Sequence, residues 1–84
     1  MSLRQINKAN RQKQVVANAA RFFSSIGYDL TSIDMVAKRS NMSPATIYNN
    51  FENKIGLLLA VLIEGEKKFN VLANNLLLSA NRLM

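Results

Sequence analysis

The run Ser43-Pro44-Ala45-Thr46-Ile47-Tyr48-Asn49-Asn50 gathers side chains that hydrogen-bond without carrying charge. Hydroxyls and carboxamides both donate and accept, so on one face of a helix they suit the edges of flat polar groups such as nucleic-acid bases. Ser43-Pro44 marks where that helix starts. Serine caps free N–H groups, and proline fits the first helical position because no N–H is needed there. Ile47 and Phe51, spaced i, i+4, supply an inward side. Pro44, Ala45, Thr46, Tyr48, Asn49 and Asn50 are left facing elsewhere. Ala45 is suited to a thymine methyl, and Asn49 or Asn50 to bidentate pairing with adenine.

A second short helix is expected just before it, with Thr31 as N-cap and Asp34 as an acidic capping-box partner. Ser32 then lies in its first turn. Ile33, Val36 and Ala37 form its apolar face, and it should end near Ser40. Asn41 tolerates the left-handed conformation that the turn requires, and Met42 is the apolar residue in that turn. Two short helices joined by three residues describe a helix-turn-helix, with Ala37 small at the crossing and Val36 and Ile47 packed between. Such a unit presents the N-terminal residues of its second helix to the DNA major groove.

Flanking helices must hold this pair in place. One is expected from about Gln5 to Ile26, on the stripe Ile6, Val15, Val16, Ala19, Ala20, Phe22, Phe23 and Ile26, closed by Gly27. Another begins near Asn53-Lys54 and continues toward the end, with Ile55, Leu62, Phe69, Leu76 and Leu83 at seven-residue intervals. Leu58, Leu59, Leu72 and Ala73 fill in between, and a bend or break is expected where Gly65 and Glu66 interrupt the seam. The fold class is therefore all-α: a three-helix unit over residues 1–53, then a connecting helix or helix pair over 54–84.

Charge and composition narrow the function. The 84 residues carry a net charge of +6, and Arg4, Lys8, Arg11, Lys13 and Arg21 stand before residue 22 with no acid among them. Residues 22–54 balance Lys38, Arg39 and Lys54 against Asp29, Asp34 and Glu52. A localised basic excess favours a polyanionic partner. Without Cys or His there is no disulfide, thiolate nucleophile or imidazole base, and the few acids form no ligand constellation. No cofactor and no enzymatic activity are expected. The apolar runs are too short to span a bilayer, and no secretion signal opens the chain, so a cytoplasmic protein is expected.

Phe22-Phe23-x3-Gly27-Tyr28-x2-Thr31-Ser32-Ile33, Val36-Ala37 and Met42-Ser43-Pro44-Ala45-Thr46-Ile47-Tyr48-x2-Phe51-x-Asn53-Lys54-x2-Leu57-Leu58 together resemble the N-terminal DNA-binding domain of TetR-family transcriptional regulators. The match covers roughly residues 5–65, and Thr-Ile-Tyr-x-x-Phe-x-x-Lys is its specific part. The chain departs from the family pattern at Ala45 and Asn41, where Gly is common, and at Ile55, where Glu usually follows the Lys. The resemblance implies a homodimeric repressor of double-stranded DNA. It also implies DNA contacts from Thr46 and Tyr48, the latter on a phosphate, and a phosphate clamp from Lys54. Ser32 and Ser43 are further hydroxyl candidates. A small-molecule inducer is implied only where a C-terminal ligand-binding domain follows, and these residues do not contain one.

Two other functions compete with DNA binding. The seam of residues 55–83 is longer than a three-helix unit can cover, which suits a protein-interaction fragment pairing through that face. An amphipathic membrane-surface helix fits poorly, because the bases and the apolar tail lie in different segments.

Overall fold

The computed structural model describes residues 2–83 and, for residue 72 and residues 78–83, the backbone alone. Among the described residues four helices follow one another: α1 (Leu3–Ser25), α2 (Ile33–Arg39), α3 (Pro44–Phe51) and α4 (Lys54–Leu83). Helix α1 starts two residues earlier than its apolar stripe suggests. The Ser2 hydroxyl accepts from the Gln5 N–H while the Gln5 carboxamide accepts from the Ser2 N–H, both at 3.3 Å, a reciprocal cap that a Ser-x-x-Gln spacing encodes. At the other end Gly27 takes φ +92°, as a helix-closing glycine should.

The start of α2 differs from the expectation. Thr31 is not the N-cap and Asp34 is not its partner. The Ser32 hydroxyl caps the helix, accepting from the Met35 N–H at 3.1 Å. Thr31 is buried, and its hydroxyl donates to the Gly27 carbonyl at 2.8 Å. The glycine turn leaves that carbonyl without a helical partner, so the threonine serves the loop and the cap moves on by one residue. The end of α2 follows the expected pattern. Asn41 adopts φ 56°, the Met42 N–H reaches the Ala37 carbonyl at 2.9 Å, and the Asn41 N–H reaches that of Lys38 at 3.2 Å. This is a Schellman closure with asparagine in the glycine position, and its apolar residue, Met42, packs on the core.

Val15, Ala19, Ile33, Val36, Ala37, Ile47 and Leu57 form the core, with Phe22, Phe23, Met42, Phe51 and Val61 packed against it. Every helix contributes. Leu57 and Val61 belong to α4, so the packed unit continues two turns past the boundary expected at residue 53. Asn18 on α1 donates to the Ser40 hydroxyl at 3.0 Å, with Ser40 buried at the end of α2, which satisfies a polar pair inside the α1–α2 contact.

Four residues of the expected α1 stripe lie outside this core: Val16 and Ala20 are half-buried, and Ile6 and Ile26 are exposed. Ile6 is 43% exposed because the other helices do not reach the first turns of α1, and Ile26 is 41% exposed because it sits beyond the last helical residue. Helix α4 runs through Gly65 as one element. Of its seam residues Ile55, Leu59, Leu62, Phe69 and Leu76 are exposed, roughly opposite the face that buries Leu57, while Leu58 and Ala73 are half-buried. The seam positions Leu72 and Leu83 fall outside the described side chains.

Leu57 and Ile55 therefore test the assignment of faces from within one turn. Leu57→Ala should cost about 2–5 kcal/mol in urea denaturation followed by helical circular dichroism, the range for a fully buried leucine. Ile55→Ala should cost less than about 1 kcal/mol, as a surface change does. Equal losses would show that the two faces are misassigned.

Candidate nucleic-acid interface

Ser43 stands in extended conformation at the N-cap of α3, and its hydroxyl accepts from the Thr46 N–H at 3.2 Å. The Thr46 hydroxyl lies 2.9 Å from the same oxygen, so both form one polar knot on the first turn. Pro44 has no N–H and that of Thr46 is capped, which leaves the Ala45 N–H as a first-turn donor at the positive end of the helix dipole.

Ile47 is buried at 1% exposure and anchors the inner side of α3. With helical spacing fixed by that anchor, Ala45 and Asn49 form the crest of the opposite side, flanked by Thr46 and Tyr48. Ser43, Pro44, Ala45, Thr46 and Asn49 are exposed, and Tyr48 is 48% exposed. Asn50 departs from the expectation. It is half-buried, because its position on the helix turns it toward the side that Ile47 buries.

The remaining candidates lie at neighbouring helix starts. Ser32 is exposed, and its oxygen is engaged as the α2 cap. Lys54 opens α4 half-buried, its Nζ 4.2 Å from the centroid of the Tyr28 ring. Tyr28 in turn meets Phe23, with ring centroids 5.4 Å apart at 50°. The ring attracts the lysine's charge and holds the tip of its side chain.

The bend between α3 and α4 is tight. Glu52 takes φ 66°, its N–H bonded to the Tyr48 carbonyl at 2.8 Å. The Asn53 side chain accepts from the Gly56 N–H at 2.7 Å, and a Cβ on Gly56 would run into the Phe51 carbonyl. Together these features set the direction in which Lys54 leaves the recognition helix.

Two residues were absent from the expected site. Arg11 and Gln14 of α1 line an open cleft with Ser40, Asn41, Met42, Ser43 and Thr46, which brings a guanidinium-bearing side chain beside the start of α3. Their spacing from the helix-turn-helix is long, so no local motif could have linked them to it. Among the described residues no group of three or more acids, histidines or cysteines could hold a metal ion. No helix there is long and apolar enough to cross a membrane.

The site is thus a capped short helix with a neutral polar crest, the second helix of a helix-turn-helix, flanked by basic side chains. Residues 15–61 match the family model described as bacterial regulatory proteins, tetR family. The chain belongs to that family. It is 34% identical over 64 residues to an uncharacterised HTH-type transcriptional regulator of Mycobacterium tuberculosis, covering 76% of this chain and 32% of the relative. In Bacillus subtilis it is 40% identical over 45 residues to the uncharacterised HTH-type transcriptional regulator YhgD, covering 54% of this chain and 24% of the relative. It is 38% identical over 50 residues to YvkB, another such regulator, covering 60% and 26%. The chain thus spans a third or less of the length of these curated relatives. No solved structure matches it.

The Lys54–Tyr28 contact is measurable by a double-mutant cycle. Tyr28→Leu and Lys54→Met should be coupled by about 0.5–1 kcal/mol in chemical denaturation, the range for a partly exposed cation–π pair. Strictly additive effects would remove any energetic role for the contact.

Proposed function

We propose that this chain binds duplex DNA in a sequence-specific manner, with α3 in the major groove, and represses transcription. Two copies would read a roughly palindromic operator, their recognition helices in successive grooves. The observation that carries the proposal is the division of α3: Ile47 buried, Ala45, Thr46, Tyr48 and Asn49 outward, and no charge on that crest. A helix so faced fits a groove about 12 Å wide and discriminates by hydrogen bonds and methyl contacts rather than by charge.

In this reading Ala45 meets a thymine methyl and Asn49 pairs with adenine. Thr46 and Ser43 present hydroxyls to base edges or sugar-phosphate, and Pro44 fixes the approach of the first turn. Tyr48 and Lys54 hold phosphates on either side, and Ser32 adds a hydroxyl from α2. Asn50 contributes from the rim of the crest. Action in the cytoplasm, where bacterial DNA is, belongs to the same proposal. A small-molecule inducer belongs to it only for a longer protein that carries a ligand-binding domain.

Fluorescence anisotropy on duplexes tiling the promoter region of its own gene tests the reading. One segment should bind preferentially. Asn49→Ala should lower the ratio of specific to unrelated binding by roughly 5- to 100-fold, the worth of one bidentate base contact. Lys54→Gln should weaken both equally and reduce the salt slope by about 0.9. Indifference to sequence at every salt concentration would end the proposal, and a promoter–reporter assay decides the sign of regulation.

The exposed apolar face of α4 supports the homodimer. Phe69 is 69% and Leu76 62% exposed, and a stripe of this extent is uncommon on a soluble monomer. Sedimentation should show the chain self-associating and the Phe69→Ala/Leu76→Ala variant dissociating at the same concentration. Unchanged association would place the interface elsewhere.

A further inference from the structure

The first turns of α1 contribute no residue to the core. Residues 2–11 are all exposed, and Val15 is the first buried position. That stretch carries Arg4, Lys8 and Arg11 and no acid. Their spacing, i, i+4 and i+7, places the three on one side of the helix, where with Leu3 and Asn7 they line a shallow surface depression. Arg11 also lines the cleft that opens onto Ser43 and Thr46. Arg11 therefore links the basic side of α1 to the start of the recognition helix.

We infer that Arg4, Lys8 and Arg11 form a second DNA-contact surface, a rail that follows the phosphate backbone beside the base-reading crest. The inference rests on the DNA-binding reading and goes beyond it in assigning residues on a different helix with a different task. Seven residues of helix cover about 10 Å. Along one strand of duplex, charges recur every 3.4 Å of helix axis, so the rail spans on the order of three phosphates. Because phosphates are the same at every step, the rail adds affinity and no sequence preference. Its partner is the duplex outside the bases that α3 reads, reached from the Arg11 end.

The exposed position of all three makes them removable without disturbing the core. In the full chain, Arg4→Gln/Lys8→Gln/Arg11→Gln should reduce the slope of log affinity against log salt by about 2–3 units. Binding near 0.15 M salt should weaken roughly ten- to a hundredfold, equally for the preferred duplex and an unrelated one. Arg21→Gln/Lys67→Gln/Lys68→Gln removes the same charge from exposed positions elsewhere and should change the slope by less than one unit. Lengthening the duplex on both sides of the preferred site should strengthen the parent protein and not the rail variant. An unchanged slope in the rail variant, or an equal loss in the control, would overturn the inference while leaving base reading by α3 intact. So would rail-dependent binding to phosphatidylserine vesicles with DNA binding unaltered. If the parent protein bound no duplex at low salt, the functional proposal and the rail would fall together.

Discussion

The burial of Val36, Ala37 and Ile47 against Val15, Ala19 and Leu57 is the constraint from which the remaining structure follows. Helices α2 and α3 have 7 and 8 residues, well below the length at which an isolated helix is stable in water. They exist because two longer helices supply a floor and a wall for them. The orientation of the α3 crest is thus decided on the opposite side of that helix. Ile47 cannot leave the core, so Ala45 and Asn49 cannot turn away from solvent.

The same core separates two kinds of electrostatic surface. Around α3 the outward side chains are neutral and directional, which suits discrimination among groups of similar polarity. On α1 they are charged and permissive, which suits attraction at a distance. Lys54 stands between these extremes. Its charge is carried on a stack of two aromatic rings that reaches back to Phe23, a core-packed residue of α1. One cluster of apolar contacts therefore orders both the uncharged crest and the nearest fixed cation.

Most of this architecture was legible because the signals were local. Ser43-Pro44, Asn41, Gly27 and the spacing of Ile47 and Phe51 each specify a conformation within four residues, and each appears as expected. The misjudged cap at Thr31 has an instructive cause. Thr31 and Ser32 are equally good caps locally, and only the free Gly27 carbonyl decides between them. The side chain of Asn50 likewise follows from how far the inner face of α3 wraps, which depends on α4. The Asn18–Ser40 hydrogen bond, the Lys54–Tyr28 stack and the approach of Arg11 to Ser43 join residues far apart in the chain. Glu52, at φ 66° and ψ −53° in the centre of a tight turn closed by the Asn53 N–H on the Phe51 carbonyl, has no local signature, because a non-glycine residue rarely takes a positive φ. For the site, the type of each crest residue was readable, while its company was not.

The bare stretch at the start of α1 has a further consequence for how the molecule unfolds. Residues 2–11 are exposed and the Ser2–Gln5 cap is internal to them, so little buried apolar surface must be uncovered for them to open. Opening there costs little, whereas opening at Val36 or Ile47 costs the whole fold. Within one continuous helix the outer turns should therefore open more readily than the inner ones. A helical stretch with so little tertiary burial is only marginally stable in water on its own. A phosphate row laid along those outer turns would serve as the missing tertiary partner, so that the last part of the molecule to order would be ordered by what it binds.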